Sequence, residues 1–243
     1  MAKIFVTTMN KKLFDSYGKD LLISYKNTGQ KFPIYVYVED DIERYPVIQN
    51  VIYVPLYEEE PECQNFVLRN KKRHIPSFMF DGVRFSYKVF AQCNASKHGG
   101  KMYYVDGDSV FLQCMDDNIL DLLLPDKVCT SFYFRKGMYT ETGFIGFNME
   151  HKMMKNFMIC YKNLYIEDTI YNLEFQTDCH AFDRARKVMT HQFTEDYYEK
   201  KLGDGGTGHI MARCRLIHDY LDHRKGKRKS QKHSPEWLRR NNG

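Results

Sequence analysis

Two aspartates separated by one glycine, Asp106-Gly107-Asp108, follow the apolar residues 102–105 and precede a second apolar run from Val110 to Leu112. Carboxylates one residue apart can jointly hold a hard divalent cation and leave coordination positions open for phosphate oxygens and water. A cation so placed acts as a Lewis acid toward a phosphate-bearing leaving group. The glycine lets the backbone turn tightly and a bulky ligand approach. The same tripeptide also suits a plain turn between two strands, because Asp-Gly is a favoured hairpin pair. The two readings differ in what else must converge on the carboxylates.

Other residues carry complementary chemistry. Arg84 and Lys88 lie four apart on one predicted helix, spaced to point together at an anion. Asp178 stands at the start of another predicted helix, either as its N-cap or facing a site. The glycine-rich residues 202–209 lack the Gly-Lys-Ser/Thr ending of a phosphate loop and read as a linker or a mobile cover.

Alternating strands and helices must position these groups. Residues 3–8 and 34–38 are short apolar strands, the second ending in Glu39, Asp40 and Asp41, and residues 51–54 are a third. Leu13, Tyr17, Leu21 and Tyr25 recur at helical spacing over 11–25. Asp81 caps a helix running to about residue 96, which leads through His98-Gly99-Gly100 into strand 101–105. Strands follow at 128–134 and 143–148, then helices at 151–165, 175–189 and 209–221. The order predicts an α/β fold with a mostly parallel central sheet in one domain over residues 1–229, followed by a basic tail at 230–243.

Composition narrows the class. Over 243 residues, 43% hydrophobic content supplies a core, and no apolar run approaches a membrane span. The short apolar stretch at residues 4–6 does not make a signal-peptide core, so the expectation is a cytoplasmic protein. Seven scattered cysteines form no Cys-x-x-Cys pair and read as reduced thiols. Eight Lys/Arg against Glu236 alone lie between Arg224 and Arg240, so the rest of the chain is mildly acidic and the tail is the basic part.

The order strand, helix, acidic-ended strand, strand, basic helix, then residues 103–112 around the Asp-x-Asp resembles the GT-A glycosyltransferases, a Rossmann-like fold, including the small phage-type members. The resemblance implies transfer of a sugar from a nucleotide-sugar donor to a hydroxyl acceptor. By it Asp106 contacts ribose or metal, and Asp108 is the main metal ligand. Thr7 or Thr8 and Glu39 or Asp40 lie near base and ribose, although as strand-end caps they need no ligand. Arg84 and Lys88 lie near ribose or diphosphate. Residues 140–148 resemble an acceptor-facing segment, which places Glu141 and Thr142 against sugar or acceptor. Asp178 is the first candidate for the base that takes the acceptor proton, and Glu141 the second. Residues 222–229 resemble a C-terminal ending that returns a histidine to the metal, with His223 ahead of His218, and lysines Lys225 and Lys227 on the diphosphate. A nitrogen beside two carboxylates suits Mn2+ somewhat better than Mg2+.

Two other functions stay open at this point. A sugar-phosphate nucleotidyltransferase shares the fold, but residues 7–12 hold no glycine for a phosphate loop. A nucleic-acid-binding role through the basic tail fits its charge, and a DNA-modifying glycosyltransferase would combine both.

Overall fold

The computed structural model describes residues 1–73, 77–192, 198–206 and 210–230, apart from the side chains at 204, 227 and 230. Strand β1 (Lys3–Met9) leads through α1 (Lys11–Leu13) and a π-helical turn (Phe14–Gly18) into α2 (Lys19–Asn27). Then come β2 (Ile34–Val38), β3 (Val51–Pro55), α3 (Leu56–Glu59), α4 (Pro61–Asn70) and α5 (Gly82–Ala95). The middle of the chain holds β4 (Lys101–Val105), β5 (Ser109–Phe111), α6 (Asp117–Leu123), β6 (Thr130–Arg135) and β7 (Glu141–Asn148). It continues with α7 (Met154–Ile166), α8 (Asp178–Gln192), β8 (Glu199–Gly205), α9 (Ile210–Arg213) and β9 (Leu221–His223).

Seven strands form one sheet in the order β3-β2-β1-β4-β7-β6-β8, and β5 pairs with β9 in a second, two-stranded sheet. The β1–β2, β2–β3, β1–β4 and β6–β8 ladders are parallel, while β7 runs antiparallel to both β4 and β6. The expected mostly parallel α/β sheet is therefore present in a single domain.

Side chains alternate across the sheet, as the period of two requires. Ile4 and Val6 enter one core with residues of α4, α5, α7 and α8, whereas Phe5 and Met9 enter the other with residues of α2, α6 and α9. Because β2 and β4 flank β1 on opposite sides, the chain reverses its winding there, and in open α/β sheets ligands bind beyond the carboxyl ends of strands at such a point.

Three segments depart from expectation. The helix expected at 209–221 is only α9, followed by turns and β9, with residue 209 outside the described residues. Its apolar spacing at Ile210, Cys214, Ile217 and Leu221 is buried by successive turns, because β5, which has no other strand partner among the described residues, captures Leu221–His223. The glycine-rich linker is in its first half strand β8, paired to β6, with Gly203 and Gly205 at positive φ of 79° and 76°. Residues 207–209 of that segment lie outside the described residues. Helix α8 starts at Asp178 rather than at 175, since the Gln176 N–H is held by the Met79 carbonyl at 2.8 Å.

Candidate active site

The Asp-x-Asp segment is a turn, but not one joining two paired strands. Strand β4, buried along its whole length, delivers Asp106, whose N–H donates to the Gly143 carbonyl at 2.9 Å; the Ser109 N–H closes the turn on the Asp106 carbonyl at 3.0 Å. The chain then leaves the main sheet as β5, which pairs antiparallel with β9 in the register Ser109↔His223. That register sets a residue from far along the chain beside the acidic pair. Arg224 N–H donates to the Asp108 carbonyl at 2.9 Å and locks the junction.

The outcome is a cluster. His223 Nε2 lies 3.0 Å from Asp108 Oδ1 and 3.5 Å from Asp106 Oδ2. Ligand-capable atoms of Asp106, Asp108 and His223 all fall within 4.8 Å of one another. His218, the reserve ligand, instead has its Nδ1 3.3 Å from Asp219 and is outside this cluster.

Glycine is required here, though not where expected. Gly107 has ordinary φ, and a Cβ there would make normal contacts at 3.5 Å with Tyr17. A Cβ at Gly143 would come within 2.5 Å of His223 Cε1 and 2.6 Å of Nδ1. The strand therefore omits a side chain so that the imidazole can lie against it.

Cations surround the carboxylates. Lys88, buried on α5, bridges Asp106 Oδ1 at 2.8 Å and Asp178 Oδ2 at 2.6 Å, and donates to the Thr142 carbonyl at 2.8 Å. Lys229 Nζ is 3.0 Å from Asp108 Oδ2 and sits 4.5 Å from the centre of the Tyr17 ring. Glu141, the first residue of β7, accepts from Lys225, lies 3.3 Å from Arg135 and accepts from the Gly143 N–H at 3.2 Å. A small cleft beside this group is lined by Glu141, Ile210, Met211, Ala212, His223 and Lys225.

Charge states follow from these partners. Burial raises the Asp106 pKa and outweighs Lys88 and His223, which lower it. At Asp108 burial also pushes upward, but His223 and Lys229 prevail and hold the carboxyl below its ordinary range. Burial works against Glu141 too, yet Lys225, His223 and Arg135 keep it at about 2. Burial would lower His223, but Asp108, Asp106 and Glu141 raise it. The Tyr17 phenol is pushed up to about 12 by burial and then by Asp108 and Asp106.

Of the other expected residues, Asp178 does not cap its helix. The Thr177 hydroxyl accepts the His180 N–H at 3.3 Å, which frees the Asp178 carboxylate for Lys88 and for the Thr142 hydroxyl at 2.5 Å. Arg84 is exposed, with its guanidinium carbon 5.6 Å from the centre of the Phe78 ring. Thr7 is fully buried inside β1, whereas Thr8 donates to the Tyr37 carbonyl at 2.9 Å and lies at the strand edge. Glu39 accepts from Asn10 at 3.3 Å and is raised by burial to about 7; neighbouring Asp40 accepts from the Lys11 N–H and the Tyr45 hydroxyl. The Lys227 side chain and residues 231–243 lie outside the described residues.

Tyr17, Gly143 and Lys229 were not anticipated. Only Lys229 carried a sequence signal, six residues beyond His223 in the basic run.

No family model matches this chain, and no curated protein matches it. Among solved structures, mouse xyloside xylosyltransferase 1 in its apo form is similar, with a TM-score of 0.51 and 9% identity over 84% of this chain and 86% of that one. The fold is that of a glycosyltransferase. At this identity the likeness is one of architecture, as the GT-A expectation required.

Proposed function

We propose that this protein is a metal-dependent glycosyltransferase that moves a sugar from a nucleoside-diphosphate donor to a hydroxyl acceptor. The observation that carries the reading is the convergence of Asp106, Asp108 and His223 within 4.8 Å at the carboxyl edge of a glycosyltransferase-type sheet. Two carboxylates and one imidazole fit a divalent cation, and the nitrogen favours Mn2+ over Mg2+. When bound, such a cation supplies Lewis-acid neutralisation of the departing diphosphate.

The chain's own residues do the rest. Lys229 and Lys225 add positive charge on the side where the diphosphate would collect, and Lys227 belongs to the same basic run. Thr8 and Glu39 line the donor's base and ribose side, while Thr7 supports that edge from within β1. Lys88 orients Asp106 and Asp178 with one ammonium group. Asp178 and Glu141 are the acceptor-side carboxylates. Each is already ion-paired, which suits accepting hydrogen bonds from sugar hydroxyls better than taking a proton.

The test is donor turnover across a panel of nucleotide sugars, with Mn2+ and with a chelator. Wild type should release nucleoside diphosphate only with the metal, and Asp108→Asn should lose at least 100-fold, of the order seen when one electrostatic stabiliser is removed. Full turnover by Asp108→Asn, or release of pyrophosphate in place of nucleoside diphosphate, would reject the reading.

A further inference from the structure

A row of aromatic rings borders the site on the side of Asp178 and Glu141. Phe78 packs edge-on against Phe85 of α5 at 5.2 Å. Two residues on, Phe80 meets Phe175 at 5.5 Å; Phe175 meets His180 at 5.0 Å, and His180 meets Tyr139 at 4.8 Å. The row ends two residues from Asp178 along α8 and two residues before Glu141, where β7 begins. Phe78 is 56% exposed and Phe80 38%, so these rings present faces to solvent that the fold does not use.

Positive charge flanks the row at both ends. The exposed residues Lys71, Lys72 and Arg73 stand on one short turn, with Arg73 held over Tyr171 at 4.7 Å, and Arg84 lies over Phe78 and Phe85. At the other end, exposed Lys136 precedes the turn to Tyr139, and exposed Lys187 is near enough to His180 to act on its charge. Nearby carboxylates are engaged within the protein: Asp183 by Thr140 and Arg186, Asp168 by Arg69 and Asn70, and Asp81 as the cap of α5. Glu174 stays exposed.

We propose that this rim is the acceptor surface and that its acceptor is a nucleic-acid strand, whose bases stack on the aromatic row while its phosphates meet the flanking cations. This rests on the glycosyl-transfer reading and names its acceptor. Every base offers a flat π face to such a platform, and the backbone spaces phosphates along it. A neutral sugar would use the rings and leave the cations unmatched. An acyl chain would need an extended apolar groove, which the cations closing both ends of the row deny.

The experiment measures binding of a fluorescent single-stranded oligonucleotide to the full chain by anisotropy, across a salt series, alongside metal-dependent donor hydrolysis. The Phe78→Ala/Phe80→Ala protein should bind at least tenfold more weakly, with unchanged thermal midpoint and unchanged donor hydrolysis. Arg73→Ala/Lys136→Ala should make the dependence of log K on log salt shallower by about one to two. The basic tail is present in every variant, so its attraction cancels. Binding by the double phenylalanine variant within twofold of wild type overturns the proposal. So does displacement of the oligonucleotide by neutral oligosaccharide, or by inorganic polyphosphate at equal phosphate concentration. Aromatic-dependent binding with no donor hydrolysis would leave the rim a nucleic-acid surface and reject the transferase reading alone.

Discussion

At the scale of single residues, Gly143 is as informative as any charged group. Because a methyl there would occupy the space of the His223 ring, Gly143→Ala should move the imidazole without touching a ligand atom directly. The expected result is at least a tenfold loss of Mn2+ affinity by titration calorimetry, with a far-ultraviolet spectrum matching wild type; unchanged affinity would separate the glycine from the site. Glu39 gives a pH signature. Its carboxyl keeps its proton in the folded chain up to about 7, whereas the unfolded chain releases it near 4.5. Between those values the folded state binds more protons, so this group's contribution is fully present below 4.5 and is lost as pH rises through 7. Glu39→Gln should therefore flatten the fall in stability across that window in urea denaturation, and raise stability at pH 8. An unaltered pH profile would count against it.

At the scale of elements, the site depends on one register. Side chains alternate along a strand, so slipping β9 by a residue turns His223 to the other face. Inserting one alanine between Asp222 and His223 should leave the seven-stranded sheet folded while abolishing metal-dependent donor hydrolysis. Retained hydrolysis would show that the β5–β9 ladder does not position the ligand. The same ladder explains what the sequence left hidden. Apolar runs in β1, β2 and β4 are long enough against their polar flanks to read directly, and Asp81 announced α5 by capping chemistry. Strands β8 and β9 are set by partners elsewhere in the chain. The glycines of β8 read locally as a loop, and the residues before β9 follow helical spacing, so no local pattern reveals either strand. Asp106 and Asp108 were legible because neighbours in sequence make the pair. Lys88 between two carboxylates was not, because that geometry exists only once α5, β4 and α8 have packed.

At the scale of the whole molecule, apolar packing and chemistry occupy different places. Two cores, one on each face of the sheet, fill the body, and the charged groups of the candidate site gather at one edge, where α5, β4, β7, α8 and β9 all arrive. Among the described residues no helix is long and apolar enough to cross a membrane. The likeness to the mouse xylosyltransferase at 9% identity is one of backbone architecture, in which almost every side chain differs.

The small sheet has a consequence in time. Ser109 and His223 are paired although more than a hundred residues of synthesis separate them. A nascent chain can thus complete all seven main strands, and bury most of both cores, while still lacking an imidazole and the lysines that follow it. The candidate metal site is therefore completed last. For the same reason, a protease cutting at the exposed Arg215, just before β9, would sever the imidazole from the part of the chain that carries the carboxylates and leave the body standing.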